Sequence, residues 1–128
     1  FRDKAFNCMV SVFSPLDVTE CMRLLDDDGI FIRILPEHDH LIELKEIIYP
    51  ELTEKNKEDI AQSFKSIELI ERQHLHYKIK LDQEALHNLL KMTPHYWRIK
   101  EHEMNIFNSY DGLDVTISMQ VSVYTKNL

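Results

Sequence analysis

Seven histidines, two cysteines and a single tryptophan are the residues of this chain whose chemistry is hardest to explain by packing alone. His38 and His40 flank Asp39, and His74 and His76 flank Leu75. On a strand, residues two apart share a face, so each pair has the chemistry of two metal ligands. No third and fourth ligand follow at a recognisable spacing, so solvated or hydrogen-bonded imidazoles are the expectation and no metal site is assigned. Cys8 and Cys21 cannot close a four-thiolate zinc site alone and make a poor disulfide framework. Both lie in apolar runs and are expected to be buried thiols. Trp97 stands between Tyr96 and Arg98, just after Thr93-Pro94. An aromatic–arginine cluster on a loop can stack a base and hold a phosphate. The competing expectation is that Trp97 packs its loop onto a sheet. No Ser/His/Asp or Cys/His triad can be argued from the spacings.

Those residues sit in a chain of 128 residues, 44% hydrophobic and 29% charged, which suits one domain of ordinary composition. No run approaches the roughly 18–20 apolar residues of a membrane span, and no signal peptide is visible, so a cytoplasmic protein without a membrane partner is expected. The formal net charge is −7, from 22 acids and 15 bases. A chain this acidic does not hold a phosphate backbone by its overall field, because nucleic-acid binding needs clustered Lys and Arg. Only 2 glycines are present, so there is no G-x-G-x-x-G cradle and no P-loop.

The elements that would position these residues alternate between strand and helix. Residues 5–13 form a continuous apolar run, the mark of a strand buried on both faces. Asp17 or Thr19 caps a helix running to about Leu25, Asp26-Asp27-Asp28-Gly29 turns the chain, and residues 30–35 form a second strand stopped by Pro36. Strand, helix, strand with short links predicts a βαβ unit in an α/β fold. After the loop 37–40, Leu41, Leu44, Ile47 and Ile48 recur at helical spacing, and Pro50 closes that helix. Residues 51–62 read as a charged linker. Leu75, Tyr77, Ile79 and Leu81 then alternate with polar residues along a strand with one buried face. Asp82 caps a helix to about Met92, a break at 93–98 precedes a shorter helix to about Asn108, and residues 115–124 alternate as a strand. The chain thus divides into a βαβα half-sheet over 1–50, the linker 51–62, and a C-terminal antiparallel strand pair with inserted helices over 63–128.

Three blocks in this order resemble the C-terminal half of the bacterial 23S rRNA (guanine-N1)-methyltransferases, the RlmA family, which includes macrolide-resistance members. The first is Val10-Ser11-Val12-Phe13-Ser14-Pro15, followed by a helix and an acidic-Gly turn. The second is Pro36-x-x-x-His40-Leu41-x-Glu43-Leu44-Lys45-x-x-Ile48-Tyr49. The third, and most specific, is Leu90-x-Met92-Thr93-Pro94-x-x-Trp97-Arg98. Together they span almost the whole chain.

The resemblance implies part of a Rossmann-like class I S-adenosylmethionine-dependent methyltransferase domain, strands four to seven, with the first half of the sheet missing. It implies methyl transfer from S-adenosylmethionine to N1 of a guanine in large-subunit rRNA by the full-length enzyme. The main cofactor loop would lie upstream, as would a cysteine module that alone would hold zinc, so the chain by itself would be inactive. Phe13, Ser14 and Pro15 are then the expected cofactor-binding and base-positioning residues. His40 and Glu43 are the expected catalytic residues, orienting the target or helping remove its N1 proton. Lys45, Trp97 and Arg98 are the expected RNA contacts. An apolar strand edge without its neighbour predicts a homo-oligomer or poor solubility. A small-molecule methyltransferase and a non-enzymatic interaction module are the alternatives.

Overall fold

A computed structural model describes residues 1–49 and 65–127, and the expected linker at 51–62 lies outside them. Strand β1 is Phe6–Val12, helix α1 Val18–Leu24, strand β2 Leu25–Pro36 and helix α2 Ile42–Ile48. Strand β3 is Ile67–Asp82 and helix α3 Gln83–Met92; a 3-10 turn at Tyr96–Arg98, helix α4 at Glu101–Asn108 and strand β4 at Gly112–Lys126 follow. The sheet order is β1-β2-β4-β3. β1 and β2 run parallel around α1, and β2 runs antiparallel to β4, giving the α/β arrangement expected of part of a Rossmann-like sheet. The residues group into two compact units, 1–37 with 65–75 and 119–127, and 38–49 with 76–118.

In the first unit, the Asp17 carboxylate accepts from the Glu20 amide at 3.1 Å and starts α1. A seven-residue helix does not stand alone. Val18 is buried, and Cys21 and Met22 pack beside it against Leu25, Phe31, Ile67 and Tyr124. Phe31 faces Tyr124 across the β2–β4 register, with ring centroids 6.1 Å apart. Arg72 reaches from β3 to the Ser122 and Tyr124 hydroxyls at 3.0 and 3.2 Å, which gives both hydroxyls a partner.

In the second unit, Leu41, Leu44 and Ile48 meet Leu86 and Leu90 of α3, Phe107 of α4 and Val115 of β4. The Asp82 carboxylate accepts from the Ala85 amide at 2.8 Å, as its position before an apolar-periodic run requires. The Glu103 carboxylate accepts from the Lys100 amide at 3.0 Å and closes the first turn of α4.

Four expectations are corrected. The acidic-Gly run is not a turn between elements: β2 begins at Leu25, and the pairing jumps from Phe6↔Leu25 to Cys8↔Ile30, so residues 26–29 form a bulge within the strand. Gly29 is fixed by close approach there, because a Cβ would stand 2.6 Å from the Leu25 side chain and 2.9 Å from the Asp26 carbonyl oxygen. β1 is not buried on both faces, since Val10 and Val12 are 60% and 54% exposed. A continuous apolar run signals cover on both sides, and the described residues supply it on one. Cys8 lies on that open side and is exposed rather than buried. Leu75 and Tyr77 are exposed as well, while Ile79 and Leu81 join the second core. Alternation marked a common face of β3 but not where along it the cover ends.

Leu86 is fully buried and Met92, six residues on, is 82% exposed. Leu86→Ala should therefore destabilise the chain by about 2–5 kcal/mol in urea unfolding, and Met92→Ala by less than about 0.5 kcal/mol. Equal effects would contradict the packing.

Candidate functional site

The register of β2 with β4 ends at Pro36↔Met119, and the chain that follows β2 takes over the polar groups of β4 beyond that point. The Leu41 amide donates to the Thr116 carbonyl at 2.8 Å. The Ser118 amide donates to His40 Nδ1 at 3.1 Å. Glu43 accepts twice from Thr116, from the amide at 2.9 Å and from the hydroxyl at 2.5 Å. Leu41 is held at φ 54°, the left-handed backbone that brings these partners into reach.

This arrangement bears directly on the two expected catalytic residues. His40 Nδ1 accepts an amide proton and so carries none itself; in a neutral ring the proton sits on Nε2. Both oxygens of Glu43 are engaged, and α2 is capped by backbone at Leu41 rather than by the His40 side chain. Burial pushes the Glu43 carboxyl up, but the two Thr116 hydrogen bonds and the Lys78 charge outweigh it and hold it below its ordinary value. Beside it, a hydrogen bond from the Ser118 hydroxyl holds Asp39 low; burial opposes this, and His76 Nε2 at 3.0 Å assists. His74 meets Glu37 at 3.3 Å in the first unit. Among the described residues no group of three or more His, Cys, Asp or Glu is placed to hold a metal ion.

The remaining expected residues fall into two places. Lys45 on α2 and Trp97 and Arg98 on the 3-10 turn belong to the second unit, where the second and third sequence blocks meet. The Tyr49 hydroxyl lies 2.8 Å from His95 Nδ1, and the two rings pack edge to face at 5.3 Å. Burial lowers the His95 pKa, and the Lys45 and Arg98 charges lower it further, which favours the neutral ring. Trp97 is not packed onto the sheet: it is 88% exposed and touches Tyr96 edge-on at 5.2 Å. Phe13, Ser14 and Pro15 belong to the first unit, at the end of β1. Phe13 is 47% exposed and sits at φ 52°, uncommon for a bulky residue, with its amide donating to the Ile34 carbonyl at 3.0 Å. Ser14 and Pro15 are exposed beside it.

Tyr49, His95 and Thr116 were not singled out by sequence reasoning. Tyr49 and His95 lie inside the second and third blocks, so their pairing was within reach of any reading that asked which blocks touch. Thr116 gave no signal, being one hydroxyl in an alternating strand.

The Glu43–Thr116 tie has a pH signature. Because its folded-state pKa is depressed, the carboxylate contributes stability that is fully present above the unfolded value of about 4.3 and is lost as pH falls through the folded value. Glu43→Gln should flatten that part of the acid limb of an unfolding-versus-pH curve. Thr116→Val should cost about 1–3 kcal/mol at neutral pH. An unchanged acid limb in Glu43→Gln would remove the tie from the fold's support.

No family model matches the sequence. The chain is 32% identical over 129 aligned positions to a candidate 23S rRNA (guanine-N1)-methyltransferase of Bacillus subtilis strain 168, YxjB, covering 98% of this chain and 46% of that protein. It is 28% identical over 105 residues to the 23S rRNA (guanine(748)-N1)-methyltransferase of Streptomyces fradiae, covering 80% of this chain and 38% of that protein. The chain thus spans less than half the length of either relative. A crystal structure of a candidate methyltransferase from Bacillus halodurans C-125 superposes with a TM-score of 0.50 at 12% identity, over 98% of this chain and 66% of that one, a likeness of fold. Along nearly its whole length, then, this sequence is homologous to a stretch of proteins named as 23S rRNA (guanine-N1)-methyltransferases.

Proposed function

We propose that the chain is the C-terminal part of an S-adenosylmethionine-dependent enzyme that methylates N1 of a guanine in 23S rRNA. The observation that carries this reading is the meeting of the second and third blocks at Tyr49 and His95, which joins the helix that bears Lys45 to the turn that bears Arg98 and an exposed Trp97. An acidic chain that gathers cations and a bare indole at one place offers a local contact for RNA rather than a general one. The relatives favour RNA as substrate over a small molecule, and an enzyme over a passive interaction module.

The cofactor, when bound, supplies the methyl group. With two glycines and no Gly-rich loop, the residues here do not form its main cradle. In this reading that cradle, and any zinc module, belong to the part of the relatives that this chain does not span. Phe13, Ser14 and Pro15, at the end of β1, would be the residues here that contact the cofactor and position the base. His40 and Glu43 orient the guanine or take part in the loss of its N1 proton. Since both Glu43 oxygens are bound to Thr116, positioning is the role its geometry favours. Lys45, Trp97 and Arg98 hold RNA. No helix among the described residues is long and apolar enough to cross a membrane, and an rRNA substrate places the work in the cytoplasm.

In the full-length enzyme, Phe13→Ala and Trp97→Ala should each depress methylation of a 23S rRNA transcript at least tenfold, roughly one stacking interaction, without altering the unfolding midpoint. Full activity in both would overturn the site assignment. The isolated chain should also self-associate. β1 is an edge strand, and Val10 and Val12 stand beside Ile32 and Ile34 on its open side. Light scattering that shows a monomer at high concentration would count against this.

A further inference from the structure

Trp97 is not alone on its turn. Apart from Phe1, the most exposed large apolar side chains among the described residues are Trp97 at 88% and Met92 at 82%. They flank the four residues Thr93-Pro94-His95-Tyr96, and that turn is held firmly. The Thr93 hydroxyl donates to the Leu90 carbonyl at 2.8 Å. The Tyr96 and Arg98 amides donate to the Thr93 and His95 carbonyls, and Tyr49 ties His95 to α2. Protruding apolar side chains on an ordered turn are costly to leave in water unless something covers them.

The charge around them selects the partner. From Ala85 to Lys100 the sequence holds no Asp or Glu, in a chain whose net charge is −7, and it carries Lys91, Arg98 and Lys100. Among the described residues neither Lys91 nor Arg98 is in an ion pair. A cationic stretch without acids of its own that bears an indole and a thioether suits a ligand with a flat π-face and a phosphate on the same unit. A base inside a duplex offers neither face, being stacked on both sides, whereas an unpaired one offers both.

We infer that the turn from Lys91 to Arg98 is a platform for an unpaired nucleotide of RNA, with Trp97 stacking the base, Met92 packing beside it, and Lys91 and Arg98 holding its phosphates. This rests on the RNA reading above and adds Lys91 and Met92 to it. It also makes strandedness the property that the turn senses.

Trp97 is the only tryptophan in the chain, so its fluorescence reports on this surface directly. The chain should be titrated with an end-labelled oligouridine of about ten nucleotides and with a blunt RNA duplex of equal length, following indole quenching and label anisotropy. The expected result is quenching and tight binding with the single strand only. Trp97→Ala and Met92→Ala should each weaken binding, the former about tenfold. Met92→Ala leaves the fold intact, which guards against a merely unfolded variant. Equal binding of duplex and single strand without quenching would overturn the platform while leaving RNA contact standing. Single-strand binding that survives both substitutions would overturn it too. Binding of neither RNA would overturn the platform, while the RNA reading itself stands or falls on methylation of the 23S rRNA transcript by the full-length enzyme.

Discussion

The first half of β4 runs on past the last residue of β2 that pairs with it, and the structure turns on how that excess is satisfied. Backbone amides and carbonyls that lose a strand partner must find another or pay for their burial. Thr116 is almost wholly buried, so water is not available to it. The chain answers with the segment after β2, using one backbone amide, one imidazole and one carboxylate in succession. That choice anchors α2, and α2 carries Lys45 and Tyr49. Through Tyr49 it also anchors the turn that presents Trp97.

Polar residues in a short loop between a strand and a helix are therefore ambiguous in a way that spacing cannot resolve. His40 and Glu43 have the residue types of proton carriers, and they also have the reach to finish a sheet edge. The two roles are compatible only in part. An imidazole that accepts an amide at Nδ1 still presents Nε2, whereas a carboxylate with both oxygens bound has little left for a substrate.

Much of the fold was legible because it rests on local rules. Asp17 and Asp82 precede apolar-periodic runs and cap their helices, residues 30–35 and 115–124 form strands, and the βαβ order yields a parallel pair. What escaped was whatever depends on cover from elsewhere. Cys8, Val10 and Val12 look like core by composition, Leu75 and Tyr77 by alternation, and none is enclosed. Hydrophobic pattern states what a segment can bury, not what is there to bury it. The aspartate run was misjudged for a related reason, because a strand bulge and a turn draw on the same residues. Of the candidate residues, Lys45 stood out in the second block and Trp97 and Arg98 in the third, while the joint between those blocks at Tyr49 and His95 required the fold.

Glycine usage has a consequence for the chain before it folds. Both glycines are spent where a backbone comes close, Gly29 in the bulge and Gly112 with a Leu81 carbonyl 2.7 Å from where its Cβ would be. Neither has a positive φ; the left-handed positions fall instead on Lys4, Phe13 and Leu41. Each such residue carries about 1–3 kcal/mol of conformational strain in the native state. Each also has far fewer unfolded conformations to give up than glycine would. Glycine at the exposed Phe13 would relax the native backbone and loosen the unfolded chain at once, so the net change in stability would be small while the end of β1 lost its stiffness; at Leu41 the loss of a buried side chain would outweigh any relief. In this molecule two bends of the backbone, after β1 and before α2, are kept stiff by residues that fit them poorly.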